Sequence, residues 1–516
     1  MILLSKSKTF FYSIFTICAF FSASLTVRAN PTKNPNVIYI YASDFGKGLL
    51  SAYGQKYLTT PNIDALIHNG VSFTNAYGGS LSAYARASLL TGYHDCNKNK
   101  WRIPNGGVYA KEDTMHITEN ELSINERSIF LPESDLYLPQ VFQKAGYITG
   151  QIGKLGIGNT SSRKQMNRYG WEYFYGFLDL VRSEGYYPPF LFENDQIVLI
   201  EGNTRIDGGK SFSPETERTY EERWNMDGKK TYAPSLFIQK VIEFLRESKD
   251  KPFFLMYSTP LPRGPVSIPA IHPEVANNDA LTQIEKEYAS MVKLLDDQVG
   301  LIMQELQSLN IEENTLVVFS SDNGHDIHYL QNGRIERPFV NIFTKDLIDN
   351  YSYKFRSNEA GDIFNGTAGM AGLKYSNLNG GICVPLTFYW KGKLTKQVRE
   401  EVVAGYDFLP TMANMLGIKL NPKKDGISFL PVLTKAKKLP ANRYVVIGSD
   451  EGPAMIDNKG WKLRYHNAKK AYELFNIKND PAEKYDVKLR FPEIVEKMKK
   501  TLIEACAGNI ENGILF

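Results

Sequence analysis

The amino-acid sequence predicts an α/β fold, in which helices cover both faces of a mostly parallel sheet. Three observations support this prediction. Continuously apolar runs, such as residues 36–42, 252–258 and 315–320, are typical of buried strands. Helical patterns lie between these runs, and alternation of strand and helix is the arrangement of parallel sheets. The length of 516 residues is sufficient for a large core and a second, smaller domain.

The predicted elements follow one another in a regular order. Thr60 and Pro61 are typical of a helix start, because Thr caps the first turn and Pro needs no hydrogen-bond acceptor there. Gly146 ends the next helix, since glycine favours the left-handed conformation of a helix end. This helix is predicted at 138–145. After it the sequence predicts, in order, strands at 147–152 and 252–258, a long helix at 285–309, strands at 315–320 and 384–390, and a helix at 407–416.

The pattern changes near Asp425, where the apolar runs become shorter. Strands are predicted at 444–447, 462–466 and 472–475, and a last helix at 492–505. We therefore predict a main domain at 30–424 and a smaller α+β domain at 425–516.

The first 29 residues are predicted to be a signal peptide. Lys6 and Lys8 precede an apolar run at 10–25, and Val27-Arg28-Ala29 supplies the small residues of a cleavage site. An uncleaved anchor is the alternative, but the run is short for a membrane-spanning helix. We expect an exported protein, periplasmic or secreted, without a stable membrane span after cleavage.

The composition excludes some partners. The net charge is +4 and hydrophobic residues make up 43% of the chain, as in ordinary globular proteins. Such a mild charge gives no indication of nucleic-acid binding. The oligomeric state stays open.

Polar side chains follow three of the predicted strands. Ser43 and Asp44 come after the first, Lys154 after the strand at 147–152, and Asp322 and Asn323 after the strand at 315–320. Ligands of open α/β sheets bind beyond the carboxyl ends of the strands. The side-chain oxygens of Asp and Asn suit Ca²⁺ or Mg²⁺. The alternative is that such residues only cap helices and turns.

The stretch from Ser80 to Asp95 carries a more specific signal. It reads Ser-Leu-Ser-Ala-Tyr-Ala-Arg-Ala-Ser-Leu-Leu-Thr-Gly-Tyr-His-Asp and resembles the signature of the sulfatases of the alkaline phosphatase superfamily. Further segments resemble that family in the same order along nearly the whole chain after the signal peptide: NVIYIYASDFG, TPNIDALIHNGVSFTNAY, LVVFSSDNG, GLKYSNLNGGICVPLTFYW and YELFNIKNDPAEKYDV.

The resemblance implies an alkaline-phosphatase-like α/β/α sandwich with a small C-terminal sheet domain. It also implies hydrolysis of sulfate esters, of glycans or of aryl sulfates. In the family, a Cys or Ser that is oxidised to formylglycine attacks the sulfate sulfur beside a divalent ion. The resemblance places Ser82 at that nucleophile position.

The resemblance also implies roles for the neighbouring residues. Arg86 would hold Ser82 in place, and Lys154 and Lys374 would bind sulfate oxygens. A Ca²⁺ (or Mg²⁺) ion would be held by four residues, of which the neutral Ser43 is the weakest ligand: Asp44, Asp322, Asn323 and Ser43.

The chain departs from the family pattern at positions that carry chemistry. Ser43 replaces an Asp, Tyr84 replaces the Pro of the signature, and Gly156 and Arg263 replace His residues. Arginine stays protonated near neutral pH and cannot transfer a proton. We predict His325 as the catalytic substitute. The remaining candidates are His94, His328 and Glu184.

These departures leave three functions open. The first is an exported sulfatase that uses Ser82. The second is a catalytically silent relative that binds anionic glycans through its basic residues, which are Arg86, Lys154, Arg263 and Lys374. The third is a phosphatase or phosphodiesterase in which Ser82 is not oxidised.

Overall fold

A computed structural model describes most of the chain beyond its N-terminus. The described residues are 34–96, 127–128, 131–159, 163–178, 183, 185–204, 217–327, 329, 354, 356–358, 361–435 and 437–510. The predicted signal peptide, Glu184 and His328 lie outside these ranges. Asn34–Phe516 form one compact unit. The domain boundary near 425 therefore stays a prediction.

A mixed sheet of ten strands is the centre of the described structure. The strands up to β14 are β1 (Asn36–Ala42), β2 (Val71–Phe73), β3 (Ala76–Tyr77), β4 (Arg127–Ser128), β5 (Ile148–Lys154), β6 (Gly158–Asn159), β7 (Tyr173–Phe177), β8 (Phe190–Glu193), β9 (Gln196–Leu199), β10 (Phe253–Ser258), β11 (Thr315–Ser321), β12 (Leu386–Tyr389), β13 (Gln397–Arg399) and β14 (Val403–Ala404). Of these, β3 pairs with β14 and β4 with β6 outside the large sheet. The middle of the large sheet is parallel, in the order β11-β1-β10-β5-β7, and antiparallel strands flank it on both sides.

Helices cover both faces of this sheet. The helices are α1 (Pro61–Asn69), α2 (Ser82–Thr91), α3 (Leu138–Lys144), α4 (Arg163–Tyr169), α5 (Glu217–Trp224), α6 (Ala233–Ser248), α7 (Pro273–Ala276), α8 (Gln283–Ser308), α9 (Asn379–Ile382), α10 (Phe408–Leu416), α11 (Leu430–Lys435) and α12 (Pro492–Ala505). One apolar core packs β1 and its neighbours against α1, α6 and α8, and a second core on the other face includes α2, α3 and α10. The predicted α/β/α sandwich is confirmed.

A separate antiparallel sheet is formed by the C-terminal region. It contains β15 (Tyr444–Ile447), β16 (Ala454–Asp457), β17 (Trp461–His466) and β18 (Ala471–Asn476), and α12 packs on one face. The predicted smaller C-terminal sheet is confirmed. β16 was not predicted, because its four residues make too short a run to stand out.

The predicted boundaries agree closely with the structure where burial is complete. β1 spans the predicted residues, and all seven are buried between β10 and β11. The segment predicted at 384–390 is the shorter β12, which runs antiparallel to β11. Hydropathy identifies a buried strand but carries no information on its direction. Among the described residues, no helix has the length and apolar character needed to cross a bilayer.

Candidate active site

Ser82 lies at the first residue of α2, beside the carboxyl ends of the central strands. The chain approaches it through Gly78 and Gly79, and the Gly79 amide donates to the carbonyl of Asp322 over 2.9 Å. A Cβ at Gly78 would lie 2.2 Å from that same carbonyl oxygen, so only glycine allows this approach. The helix N-terminus also favours negative charge near Ser82.

The hydroxyl of Ser82 is surrounded by charged groups. It donates to Asp322 Oδ2 over 2.5 Å, and it accepts from Lys154 Nζ at 2.9 Å and from Arg86 Nε at 3.1 Å. All four side chains are buried. The predicted grouping of these residues, which the family resemblance implied, is therefore present in the geometry.

Arg86 connects several strand ends. Its Nη2 lies 2.8 Å from Asp322 Oδ2 and 2.9 Å from Ser43 Oγ, and its Nη1 donates to Ser258 Oγ. Ser258 ends β10 and was not singled out in the sequence, because a lone serine at a strand end carries no motif. The guanidinium thus orients Ser82 and neutralises Asp322 at the same time.

Two loops that follow β1 and β11 meet at this site. The Asp44 amide donates to Asp322 Oδ1 over 3.0 Å, and Asn323 Nδ2 donates to Asp44 Oδ1 over 3.0 Å. Asp44 has a φ of 59°, a left-handed conformation that Asp tolerates better than most residues. The predicted convergence of the two loops is therefore observed.

Two further cations reach Asp44 from elsewhere in the chain. Lys374 Nζ lies 2.7 Å from Asp44 Oδ2 and 3.8 Å from Asp326 Oδ2. Arg263 Nε lies 4.0 Å from Asp44 Oδ2, and its Nη1 donates to Ser183 Oγ over 3.0 Å. The residue that replaces a family His is thus part of the charged cluster.

The charges shift one another's pKa values. Burial alone would raise the pKa of Asp322, but Arg86 holds it below its usual value. Burial, aided by Arg263 and Arg86, lowers the pKa of Lys154 well below its ordinary value. Burial would also lower the pKa of Lys374, but Asp44 keeps it above its ordinary value. Asp44 therefore favours the charged form of Lys374, whereas burial favours the neutral form of Lys154.

The predicted ion ligands do not fit a divalent cation in this arrangement. Ser43 Oγ, the predicted fourth ligand, donates to the Thr259 carbonyl and accepts from Arg86. A Ca²⁺ ion on Asp44 Oδ2 would lie within about 5 Å of Lys374 Nζ, where the repulsion is on the order of 7 kcal/mol at an effective dielectric of 20. In the described part of the chain, no three His, Cys, Asp or Glu side chains form a metal-binding group. Asn323 Oδ1, a buried oxygen without a hydrogen-bond partner, is the feature that fits an ion.

His325 was predicted to be catalytic, and its ring lies in a different environment. Nε2 lies 2.9 Å from the Tyr329 hydroxyl, which in turn donates to Asp362 over 2.8 Å. The ring also packs against Tyr288. These contacts hold the imidazole in a tyrosine–aspartate network, so we do not assign it a role at Ser82.

The other proton-transfer candidate that the structure describes is also elsewhere. His94 Nε2 lies 3.6 Å from Asp425 Oδ2, and both line a cavity of about 490 Å³ between the main sheet region and α12. Sequence spacing could not separate His94 from the site, because it lies only twelve residues after Ser82 along the chain.

The C-terminal sheet supports two segments of the site. Ser80 Oγ donates to the Gly448 carbonyl over 2.7 Å, just before Ser82. Ser376, two residues after Lys374, lies 3.3 Å from Glu451. The sheet is therefore expected to position both the nucleophile and a cation, although it contributes no charged group to the cluster described above.

The contact between the Gly448 segment and α2 also involves Asp95, whose buried carboxyl group makes the stability of the protein depend on pH. This carboxyl group accepts from the Gly448 amide over 2.7 Å, and burial raises its pKa to about 6 from 3.8. Because the folded pKa is raised, the stabilising contribution is complete below about pH 4 and is lost as the pH rises through 6. The Cys96 thiol and the Tyr84 hydroxyl also face this carboxyl group.

We therefore expect Asp95→Asn to stabilise the protein at pH 7 by up to about 3 kcal/mol, because the amide keeps the acceptor oxygen without the buried charge. Thermal unfolding at pH 4 and pH 7 measures this effect. Wild type and variant should unfold at the same temperature at pH 4. An equal difference at both pH values would contradict the assignment.

Comparison with known proteins agrees with this geometry. A sequence model of the sulfatase family matches residues 35–418. The chain is 25% identical to the N-acetylgalactosamine-6-O-sulfatase of Bacteroides thetaiotaomicron, over 91% of this chain and 93% of that protein. It is 24% identical to human arylsulfatase A, over 90% and 86% of the two chains.

Solved structures show the same fold. A Bacteroides thetaiotaomicron protein described in the metabolism of multiple glycosaminoglycans superposes with a TM-score of 0.68 at 21% identity, covering 92% of this chain and all of that one. A second structure, solved with its substrate D-glucosamine-2-N,6-O-disulfate, has a TM-score of 0.61 at 18% identity and covers 92% of this chain and 99% of its own. Since the family model covers most of the chain, this protein belongs to the sulfatase family of sulfuric ester hydrolases.

Proposed function

We propose that this protein hydrolyses sulfate esters of glycans and that the unmodified hydroxyl of Ser82 is its nucleophile. The observation that carries the proposal is the surroundings of Ser82 Oγ. A carboxylate oxygen, a lysine nitrogen and a guanidinium nitrogen all lie within 3.1 Å of it. A serine that only stabilises the fold does not need three ionisable groups on its oxygen.

The surrounding charges suit a sulfate group. Arg86, Arg263 and Lys374 are cationic, and Lys154 adds a fourth nitrogen within reach of Ser82. Such preorganised donors stabilise the negative charge of a transferring group better than water does, because they need no reorganisation. The cluster is therefore suited to bind the sulfate group of an ester.

The nucleophile can be activated within the cluster. The Ser82 hydroxyl donates a hydrogen bond to Asp322 Oδ2 in the described arrangement. Lys154 Nζ lies 2.9 Å from the same oxygen, and its lowered pKa favours the neutral amine. We propose that the hydroxyl rotates from Asp322 toward Lys154, which then accepts the proton as the general base, and that Asp322 orients the serine before this step.

The proposed reaction has two steps. Ser82 Oγ forms a bond to the sulfate sulfur while the bond from sulfur to the glycan oxygen breaks, and the serine proton is balanced by the proton that the leaving alcohol gains. Water then attacks the sulfur of the sulfo-serine, which releases hydrogen sulfate and restores the serine. The family typically uses formylglycine and a metal ion. Here Tyr84 occupies the Pro position of the oxidation signature, so we infer that Ser82 stays a serine.

Relatives support a glycan as the substrate. The Bacteroides relative is named an N-acetylgalactosamine-6-O-sulfatase and aligns over nearly the full length of both chains. The basic and apolar N-terminal residues support export, periplasmic or secreted, where polymeric glycans are encountered.

Sulfate release from defined substrates tests the proposal. We expect release from 6-O-sulfated N-acetylgalactosamine, with kcat/KM at least about tenfold above that for the matching phosphate monoester. Mass spectrometry of the Ser82 peptide should show intact serine, and quenched turnover should add one SO₃ group to it. Loss of two hydrogens at Ser82 would instead indicate formylglycine and contradict the unmodified-serine step.

Two other outcomes would contradict the reaction itself. Binding of sulfated glycans without any sulfate release would indicate the catalytically silent relative. Faster release of phosphate than of sulfate would indicate a phosphatase or phosphodiesterase.

A further inference from the structure

The carboxylate oxygens that would hold a divalent ion are engaged by donors of this chain. Asp322 Oδ1 accepts from the amides of Asp44 and Asn323, and Asp322 Oδ2 accepts from Ser82 and Arg86. Asp44 Oδ1 accepts from Asn323 Nδ2, and Asp44 Oδ2 accepts from Lys374. An ion would have to displace several of these buried hydrogen bonds.

The donors on Asp44 are themselves cations. Lys374 comes from a position 330 residues further along the chain, and its ammonium group is buried against Oδ2. Arg263 Nε approaches the same oxygen to 4.0 Å. Together they deliver two positive charges to the carboxylate that the family pattern assigns to the metal.

The cluster has no surplus of acidic side chains for an ion to neutralise. Three carboxylates, those of Asp44, Asp322 and Asp326, lie beside four basic side chains, which are Arg86, Arg263, Lys374 and Lys154. Replacing a ligand carboxylate by Ser43 removes one negative charge, and Arg263 adds a positive charge that a neutral His would lack. Both departures change the site in the same direction.

We propose that Lys374 and Arg263 take the place of the divalent ion, so that this site binds and neutralises a sulfate group without a metal. The inference rests on the proposed function for the identity of the anion. Ser43 and Arg263 both depart from the family pattern, and both make the site less negative, which reduces its attraction for a divalent ion. Arg86 orients the serine, and Lys374 and Arg263 supply the charge that a divalent ion supplies elsewhere.

Binding measurements on the full protein test this inference without relying on turnover. Inorganic sulfate is titrated by calorimetry before and after treatment with EDTA, and the purified protein is analysed for bound metal. We expect sulfate affinity to change by less than about twofold on chelation. We expect no stoichiometric Ca²⁺, Mg²⁺ or transition metal, and no heat on titration with Ca²⁺ or Mg²⁺.

A variant that is expected to gain Ca²⁺ binding tests the same inference in the opposite direction. Ser43→Asp combined with Lys374→Met restores a carboxylate and removes the ammonium, so it should bind Ca²⁺ at least about tenfold more tightly than wild type. Lys249→Met, the same change at an exposed lysine, is the control and should not alter ion binding. One tightly bound equivalent of metal in wild type, lost in Asp322→Asn, would overturn the inference.

The inference and the proposed function can fail separately. Sulfate binding that resists EDTA in a protein without hydrolytic activity would refute the function and leave the inference intact. Hydrolysis that EDTA abolishes and Ca²⁺ restores would refute the inference and leave the function intact.

Discussion

Replacing Ser82 by alanine should reduce kcat/KM for sulfate-ester hydrolysis by roughly 10⁴- to 10⁶-fold, the range found when a nucleophile is removed from a preorganised site. In wild type the hydroxyl is held by Asp322, Lys154 and Arg86. The variant lacks this oxygen, so nothing in the site attacks the sulfur in its place. Initial rates of sulfate release measure the loss. Sulfate binding should persist in the variant, because the cations that contact the anion remain.

Ser88→Ala is the matched control for this variant. It makes the same change in the same helix, α2, six residues further on. It should leave kcat/KM within about twofold of wild type, as expected for a change outside the reacting groups. If Ser82→Ala kept activity within tenfold of wild type, water rather than Ser82 would be the attacking group.

The second large effect is expected for Arg86→Ala, which should destabilise the protein by about 3–5 kcal/mol, since it leaves a buried carboxylate without its partner. Arg86 contacts Asp322 at 2.8 Å, and both side chains are almost fully buried. Activity should be lost as well, because Ser82 loses the Nε contact. Thermal and denaturant unfolding measure the change in the free energy of unfolding.

The pH dependence of this loss identifies its cause. Because the folded pKa of Asp322 is lowered, the ion pair contributes stability above the usual range of an Asp pKa and loses it as the pH falls. The difference between wild type and Arg86→Ala should therefore shrink in acid. Arg246→Ala, which removes an exposed pair with Glu305, should cost far less stability. A similarly small cost for Arg86→Ala would mean that Asp322 is not ionised.

Much of the fold and part of the site could be predicted from local patterns. The fully buried β1 and the Thr60-Pro61 start of α1 produce signals within about ten residues of sequence, and both elements lie where they were predicted. The predicted cap is wrong in detail, because the Thr60 side chain accepts no hydrogen bond from the backbone amides of the first turn of α1. The family resemblance implied the grouping of Ser82 with Arg86, and the structure agrees, since residues four apart share one face of α2. Lys154 and Asp322 could be added because the carboxyl ends of parallel strands meet at one edge.

The remaining features depend on contacts that no local pattern contains. His325 follows the Asp322-Asn323 loop closely in sequence, yet its ring contacts the Tyr329 hydroxyl. Ser258 holds Arg86 although its surroundings in the sequence carry no chemical motif. Proximity along the chain is therefore a weak guide to the direction of a side chain.

The sequence by itself determined the family, the α/β/α architecture and the positions at which the chain departs from its relatives. Only the tertiary structure decided what those departures do together. Ser43 faces Arg86, and Asp44 is paired with Lys374 and approached by Arg263, from positions hundreds of residues away in the chain. The physical reason is that a carboxylate responds to whichever positive charge lies within a few ångströms in a buried site, and the folded chain determines that distance.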